Sequence, residues 1–335
     1  RSTIFSRKPA ESTVSEAIKQ QLATIFGEAL SPEQAVERII AEVQARGDAA
    51  IRELTARIDG VQLGDLRVSA DEIEAAYRSA DPAILDALST AAQRVRAYHE
   101  KQLRRSWYDF DTGLGQIVRP IDRVGVYAPG GRALYPSTVL MTAIPARVAG
   151  VGEVIAASPA QRDGRVAPII LVAAKIAQVD QVYRIGGAQA IAALAFGTES
   201  VPKVDKICGP GNIFVTLAKK RLFGQVGIDG LQGPTEMVLI ADDTADPAWC
   251  AADMLAQAEH DPLASPLMIT DSLDLANRVQ EQLAAQLEGL DRKAIAAEAL
   301  RQQGGIAVVS NLEEAIEPDE EVGRHRESQR IRYRS

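Results

Sequence analysis

The sequence predicts an α/β protein in which two Rossmann-like blocks of parallel strands follow an N-terminal helical region. Short apolar runs alternate with helical segments from Val124 onwards, and this alternation is typical of parallel βαβ units. The length of 335 residues allows two or more domains with substantial cores. Neither block contains a G-x-G-x-x-G fingerprint, and the periodicity does not say how the two blocks are nested.

The first hundred residues are predicted to be mainly helical, and residues typical of helix starts mark where the helices begin. Residues 1–19 are polar and are interpreted as an arm, whereas a helical pattern runs from about Glu16 to about Leu103. Ser31 is a good N-cap before Pro32-Glu33, and Gly47 is predicted to end the helix that begins there. Ser69-Ala70-Asp71-Glu72 is a capping box that begins another helix. Nothing in this region indicates chemistry.

The first block begins where the period of the apolar residues changes. Val124–Tyr127 is predicted to be a strand that ends in Ala128-Pro129-Gly130-Gly131, the tight turn of a ligand-facing loop. Further strands are predicted at Glu153–Ala157, Gln181–Ile185 and Val204–Cys208. Helices are predicted at about Ser137–Ala149, Ala167–Ala177, Ala188–Phe196 and Ile213–Phe223.

The second block begins at Glu236. Strands are predicted at Met237–Ala241, Pro266–Thr270 and Gly305–Ser310, and helices at Pro247–His260 and about Leu273–Leu287. Asp246 is the expected N-cap of the first of these helices, with Pro247 at its first position. An apolar stripe on the same helix should face the core, and it consists of Ala251, Met254, Leu255 and Ala258.

Composition limits the classes of function. Hydrophobic residues make up 46% of the chain and charged residues 24%, which is an ordinary globular balance. The net charge of −8 and the lack of a basic cluster before the last dozen residues argue against a nucleic-acid partner. No 18-residue apolar run predicts a membrane span. Cys208 and Cys250 are too few for a disulfide framework, so we expect a reducing, cytoplasmic location.

Gln257 and His260 are three residues apart on the predicted helix Pro247–His260, so they should lie side by side on the face opposite its apolar stripe. A neutral imidazole and an amide oxygen on one face can share a metal ion. From spacing alone, the more common roles are a histidine that satisfies the helix C-terminus and a solvent-facing amide. The spacing therefore leaves the metal site as one alternative.

Five motifs together resemble the histidinol dehydrogenase family over roughly residues 20 to 317. They are Gly125-Val126-Tyr127-Ala128-Pro129-Gly130-Gly131, Gly186-Gly187-Ala188-Gln189-Ala190, Gly209-Pro210-Gly211-Asn212, Gly233-Pro234-Thr235-Glu236 and Gln257-Ala258-Glu259-His260-Asp261. The resemblance implies two successive hydride transfers that convert L-histidinol through its aldehyde to L-histidine, with NAD as acceptor. It also implies a zinc ion that holds the substrate, and a homodimer.

The resemblance further implies a nested domain organisation. Residues 20–126 and 234–317 would form a discontinuous Rossmann-like domain that carries the Gln257 and His260 site. Residues 127–233 would form a second Rossmann-like domain, inserted into the first, that binds NAD.

Site residues follow from the resemblance by position. Gln257 and His260 match two zinc ligands that also lie beside the substrate. Thr235, where the family usually has serine, and Ser137 are expected on the substrate side. The residues that match NAD contacts are Tyr127, Gln189 and Asn212. Simpler roles stay open for the hydroxyl groups: an ST-turn for Thr235 and a plain N-cap for Ser137.

The segment from 318 to 335 departs from the family pattern. It has no apolar periodicity and is expected to be a disordered, non-homologous tail. The family carries its adjacent Glu-His acid-base pair and two more zinc ligands, an aspartate and a histidine from across the dimer, in a segment that we do not find here. No residue of this sequence is therefore assigned the acid-base role, and a truncated or out-of-frame coding sequence is one hypothesis.

Three hypotheses of function remain open from the sequence. The first is a histidinol dehydrogenase. The second is a related zinc- and NAD-dependent dehydrogenase that oxidises another small polar alcohol. The third is a catalytically inactive fragment that still binds NAD. Thr235 within its Gly-Pro-Thr-Glu turn, together with Gln257 to Asp261, favours the first.

Overall fold

The computed structural model describes residues 16–130, 134–231, 236–316 and 329–331. The described residues fall into two compact units. We call residues 16–231 the N-terminal unit and the described residues from 236 onwards the C-terminal unit. Each contains its own parallel sheet, so the predicted α/β class with two such sheets is confirmed.

The N-terminal unit begins with four helices: α1 (Glu16–Phe26), α2 (Pro32–Ile58), α3 (Ala70–Ser79) and α4 (Pro82–Glu100). Ser31 is the N-cap of α2 and a capping box at Ser69 begins α3, as the sequence predicts, and Ser31 also forms a capping box with Gln34. Gly47 does not end α2 but interrupts it, because its backbone has φ +53° and the helix resumes behind it. The side chain of Glu199 occupies the place where a Cβ atom of Gly47 would lie, only 2.3 Å from the nearest carboxylate oxygen.

An exposed hairpin follows the helices. Strand β1 (Trp107–Asp109) pairs antiparallel with β2 (Leu114–Gln116), and neither strand was predicted. Trp107 and Tyr108 are exposed, and Phe110 at the turn is 89% exposed. Apolar residues that face solvent on such short strands do not alternate with polar ones, so the alternation that indicates a half-buried strand is missing here.

A five-stranded parallel sheet forms the centre of the N-terminal unit, in the order β5-β4-β3-β6-β7. Its strands are β3 (Arg123–Tyr127), β4 (Glu153–Ala157), β5 (Gln181–Tyr183), β6 (Lys206–Cys208) and β7 (Gly227–Ile228). The helices between them are α5 (Pro136–Val148), α6 (Pro168–Ile176), α7 (Gly187–Phe196) and α8 (Ile213–Leu222). Counted along the chain, the strand order is 3-2-1-4-5, which is the order of the Rossmann fold.

Both faces of this sheet are covered by helices. Helices α2, α7 and α8 pack with one another over one face, where the core includes Ile155 and Ile207. Helices α3 to α6 pack over the other face, where the core includes Val126 and Val154. Burial on both faces explains why the strands read as continuous apolar runs.

The C-terminal unit is a smaller α/β layer. Strands β8 (Glu236–Ala241), β9 (Ser265–Thr270) and β10 (Gly305–Val308) are parallel, and β11 (Gln329–Ile331) pairs antiparallel with β10. The accompanying helices are α9 (Pro247–Ala258), α10 (Leu273–Leu287), α11 (Lys293–Gln302) and α12 (Leu312–Ile316). The predicted stripe on α9 is confirmed, since all four of its residues are buried. Helix α11 was not predicted.

Two features differ from the expected organisation. Residues 20–122 lie in the N-terminal unit with the first sheet, because α2 and α3 bury their apolar sides there, whereas we expected them to share a domain with residues 234–317. Residues 329–331, inside the segment expected to be disordered, form β11. The remainder of 317–335 lies outside the described residues. Within the described part of the chain, no helix is long and apolar enough to cross a membrane.

Candidate functional site

The topology of the N-terminal unit places a crevice at the carboxyl ends of β3 and β6. Successive strands extend from β3 to β4 and β5 on one side, and to β6 and β7 on the other. Ligands of open α/β sheets bind where the strand order reverses in this way. Tyr127 ends β3, and Gly209 follows β6 directly. Gly209 has φ +124°, and a Cβ atom there would lie 2.1 Å from the carbonyl oxygen of Tyr127, so the two loop backbones meet at this point.

Tyr127 has a buried side chain whose hydroxyl group binds the start of α7. The backbone N–H of Gly187 donates to the hydroxyl oxygen at 3.0 Å. Burial raises the pKa of Tyr127 to about 12, so the phenol stays neutral at physiological pH. Tyr127 thus ties the end of β3 to the first turn of α7, which carries Gln189.

Gln189 is a buried amide with an unused donor. Only 1% of the residue is exposed, and among the described residues its Nε2 atom has no hydrogen-bond partner. A Cβ atom on Gly187 would lie 2.8 Å from its Oε1 atom, so the glycine leaves room for the amide beside the helix start. A buried amide nitrogen without an acceptor is costly, and a bound ligand that supplied the acceptor would remove that cost.

Asn212 begins α8. Its Oδ1 atom accepts from the backbone N–H groups of Phe214 at 3.1 Å and Val215 at 3.2 Å, which makes it the N-cap. The residue is exposed, and with Oδ1 engaged in capping, its Nδ2 group is the part of the side chain suited to bind a ligand.

A buried ion pair, which the sequence reading missed, holds the loop between β6 and α8. Lys219 is 2% exposed, and its Nζ donates to the carbonyl oxygen of Gly209 at 2.9 Å and to the carboxylate of Asp229. Asp229 also accepts from the N–H of Gly209 at 2.7 Å. Both backbone groups of Gly209 are therefore bound by one charged pair. The sequence contains one indication of this pair, because Lys219 lies next to Ala218 on the apolar side of α8.

The two expected substrate-side hydroxyl groups have different outcomes. Ser137 is the second residue of α5 and is exposed. The N-cap position belongs to Tyr135, so the alternative that Ser137 is a plain N-cap is wrong. Thr235 lies outside the described residues.

Gln257 and His260 lie at the end of α9 in the C-terminal unit. The helix ends at Ala258, so His260 belongs to the following turn and not to the helix face on which we expected it. The backbone N–H of His260 donates to the carbonyl oxygen of Gln257 at 3.3 Å. Beyond this turn, the Oδ1 atom of Asp261 accepts from the N–H of Leu263 at 2.8 Å and forms an Asx turn. Gln257 is half-buried and His260 is exposed.

The donor set around these two residues is incomplete for zinc. Among the described residues, no group of three or more His, Cys, Asp or Glu side chains could hold a metal ion. A structural or catalytic zinc ion needs at least three protein ligands, and Gln257 and His260 supply two. The side chains of Gln257 and His260 are of types that can bind zinc. Two ligands, however, do not complete the coordination of the ion.

The cysteines are structural. Cys250 is buried in the core of the C-terminal unit, and Cys208 is half-buried at the end of β6. Burial raises the pKa of both thiols, which makes them poor nucleophiles.

Comparisons with known proteins agree on one family. A family model described as histidinol dehydrogenase matches residues 27–326. The chain is 51% identical over 302 residues to a histidinol dehydrogenase of Dehalococcoides mccartyi, and the match covers 90% of this chain and 69% of that protein. It is 52% identical over 287 residues to the histidinol dehydrogenase of Moorella thermoacetica, with 84% and 68% covered.

A solved structure gives the same result for the fold. The crystal structure of histidinol dehydrogenase from Elizabethkingia anophelis superposes with a TM-score of 0.82 at 36% sequence identity, and the match covers 89% of this chain and 70% of that one. The chain thus spans a little over two thirds of the length of these relatives. Because the family model covers most of the sequence, and the relatives are about half identical to it, the chain belongs to the histidinol dehydrogenase family.

Proposed function

We propose that the protein oxidises L-histidinol through L-histidinaldehyde to L-histidine, and that NAD accepts a hydride in each of the two steps. The observation that carries the proposal is the family match, which spans residues 27–326 and therefore includes both units. The crevice at the ends of β3 and β6 supports the choice of a dinucleotide, since its sheet has the Rossmann strand order.

In this proposal, NAD binds across the carboxyl ends of the first sheet. Gln189 donates its unused amide N–H to the dinucleotide, and Asn212 donates through Nδ2 while its oxygen caps α8. Tyr127 keeps α7 in place and remains neutral, so it adds no charge that would repel the pyrophosphate. Lys219 and Asp229 fix the loop that carries Asn212.

Zinc is the second proposed cofactor. His260 would bind it through an imidazole nitrogen and Gln257 through its amide oxygen, and Thr235 and Ser137 are proposed to contact the substrate. When bound, zinc would act as a Lewis acid and as a template for the imidazole and amine of histidinol. Further protein ligands would be needed besides these two. We extend the proposal to a cytoplasmic homodimer, as the family resemblance implies.

The test is NADH formation from L-histidinol with added zinc, measured against a panel of other amino alcohols. We expect histidinol to be preferred and His260→Ala to lower the rate by about a hundredfold or more, because a metal ligand is lost. His99→Ala is a matched control, since His99 likewise lies near the C-terminal end of a helix, where its Nδ1 atom is 2.6 Å from Gln102 Oε1. It should leave the rate unchanged.

Other outcomes would support the competing hypotheses. A clear preference for a different alcohol would identify a related dehydrogenase. Binding of NAD by the folded protein without any turnover on histidinol would favour a chain that binds the cofactor but lacks the catalytic machinery. Failure of the folded protein to bind NAD at millimolar concentration would contradict the proposal itself.

A further inference from the structure

Ser158 carries a second buried polar atom without a partner at the carboxyl end of the first sheet. The residue directly follows β4 and is 1% exposed. Its backbone N–H donates to the carbonyl oxygen of Tyr183 at 3.0 Å, so the backbone is accounted for. Its Oγ atom, in contrast, has no hydrogen-bond partner among the described residues. Buried hydroxyl groups normally have one, so a missing partner needs an explanation.

The position of this hydroxyl group points to a ligand. A Cβ atom on Gly130, in the loop after β3, would lie 3.1 Å from Ser158 Oγ, so the hydroxyl faces that loop. The next residue, Pro159, lies against Gly130 and also against Gly186 at the start of α7. Ser158 therefore lies between the loops after β3 and β5, at the same edge of the sheet as Tyr127 and the unpartnered amide of Gln189.

The strand order identifies which part of a dinucleotide would reach it. In Rossmann folds, the residue at the carboxyl end of the second strand binds the adenosine ribose, and it is commonly an aspartate or glutamate. Strand β4 is the second strand in this sheet, and the residue that follows it is Ser158. A serine can both donate to and accept from a ribose hydroxyl group.

We propose that Ser158 Oγ hydrogen-bonds the adenosine ribose of NAD, a role that rests on the proposed function. The inference explains why a fully buried hydroxyl group is left without a partner in the ligand-free protein. The bond would be made only when NAD is present, so Ser158 adds to cofactor affinity and nothing to the stability of the free protein.

The test uses Ser158→Ala and measures NAD affinity by calorimetry together with thermal stability in the absence of NAD. We expect the Kd for NAD to rise about tenfold, as for loss of one hydrogen bond. The melting temperature of the free protein should stay the same or rise, since a buried hydroxyl group without a partner has been removed. A purely structural serine would instead lower the melting temperature.

Thr55→Val is the matched control. Thr55 is 2% exposed, and its Oγ1 atom also lacks a partner among the described residues, but it lies within helix α2 and not in a loop that follows a strand. Removing the hydroxyl group of Thr55 should not change the affinity for NAD. A further measurement uses ADP, which contains the adenosine ribose but lacks the nicotinamide half. Ser158→Ala should weaken ADP and NAD by similar factors.

The outcomes separate the inference from the proposed function. If the wild-type protein binds NAD and Ser158→Ala binds it equally well, the inference is wrong and the proposed function stands. Weaker NAD binding with unchanged ADP binding would contradict the ribose assignment. Absence of NAD binding by the folded wild-type protein would overturn both.

Discussion

Asp48 is a buried carboxylate that joins two distant parts of the N-terminal unit. It accepts from Thr198 Oγ1 at 2.6 Å, from the N–H of Ser200 at 3.3 Å and from the hydroxyl group of Ser200. Arg52 approaches it at 3.5 Å. Burial on its own would raise the pKa of Asp48, but the hydrogen bonds and the nearby arginine outweigh it, so the pKa lies below its usual value of 3.8.

Replacing Asp48 with asparagine should therefore destabilise the protein at neutral pH. A carboxyl group with a lowered folded-state pKa stabilises the fold above its unfolded pKa, and this stabilisation is lost as pH falls through the folded-state pKa. We expect Asp48→Asn to cost about 2 kcal/mol at pH 7 and progressively less below about pH 4. Urea unfolding of the wild-type and variant proteins across this pH range measures the difference in free energy of unfolding.

Asp242→Asn is the comparison. Hydrogen bonds from Thr244 likewise lower the pKa of Asp242, but here burial is a smaller effect than these hydrogen bonds, whereas for Asp48 it is the largest single effect. The substitution should change stability little at any pH. Equal effects of the two substitutions at pH 7 would contradict the role given to burial.

Lys219 is expected to matter for both stability and cofactor binding. Its partner Asp229 has 27% of its side chain exposed, so removing the lysine should cost about 2–3 kcal/mol, toward the low end for a broken buried pair. Lys219→Met should also weaken NAD binding, because the Gly209 loop is released. Lys220→Met is the control, since that neighbouring lysine is exposed on the same helix. An unchanged free energy of unfolding for Lys219→Met would show that the pair of Lys219 and Asp229 does not stabilise the fold.

At the scale of elements, the starts of helices were the most predictable features. Ser31, Ser69 and Asp246 each accept a hydrogen bond from the first turn of their helix, as their residue types indicated. Helix ends were less predictable. Helix α9 ends at Ala258 rather than at His260, because its last turn tightens so that the N–H of His260 binds the carbonyl oxygen of Gln257, three residues before it.

The loop after β6 provides a prediction about glycine. Gly209→Ala combines an unfavourable backbone angle with a clash against the Tyr127 carbonyl group, whereas Gly224→Ala has φ +99° but nothing within 4 Å. We expect Gly224→Ala to cost about 1 kcal/mol, from backbone strain alone. Gly209→Ala should cost at least about 3 kcal/mol. Denaturant unfolding of the two variants measures the contribution of the clash to the free energy of unfolding. If both variants lost the same amount of stability, there would be no clash at Gly209.

Part of the candidate site could be predicted and part could not. Tyr127, Gln189 and Asn212 lie within motifs that follow strands, so topology alone brings them to one sheet edge. Ser158 and Lys219 had no motif of their own. What singles them out is a missing hydrogen-bond partner and a buried charge, and both are properties of the folded environment rather than of neighbouring residues in the sequence.

At the scale of the whole molecule, the sequence indicated two sheets but not which sheet the N-terminal helices cover. An amphipathic helix shows that one side is buried, and any apolar sheet face would satisfy it. The structure shows α2 beside α7 and α8, where Glu199 contacts the backbone of Asp48 at 2.8 Å. A contact between residues about 150 positions apart leaves no local trace in the sequence.

Zinc retention is a prediction for the chain as a whole. With Gln257 and His260 as the two proposed ligands, an ion would keep most of its coordination as water, and an amide oxygen is a weak donor. We therefore expect zinc to be lost on dialysis, as measured by metal analysis per chain. One zinc ion per chain that survives dialysis would show that additional ligands complete the site.

The bond network of Asp48 also affects how the chain is made. The hydroxyl groups that bind its carboxylate are encoded 150 and 152 residues later. At ribosomal rates of ~5–20 residues per second, about 8–30 s pass before Ser200 follows Asp48 out of the ribosome. During that time Asp48 lacks these hydroxyl partners, and α2 lacks the complete helix α7 against which it packs until Phe196 has been made. We therefore expect a nascent chain halted before Thr198 to expose α2 to proteases, and one halted well beyond Ser200 to protect it.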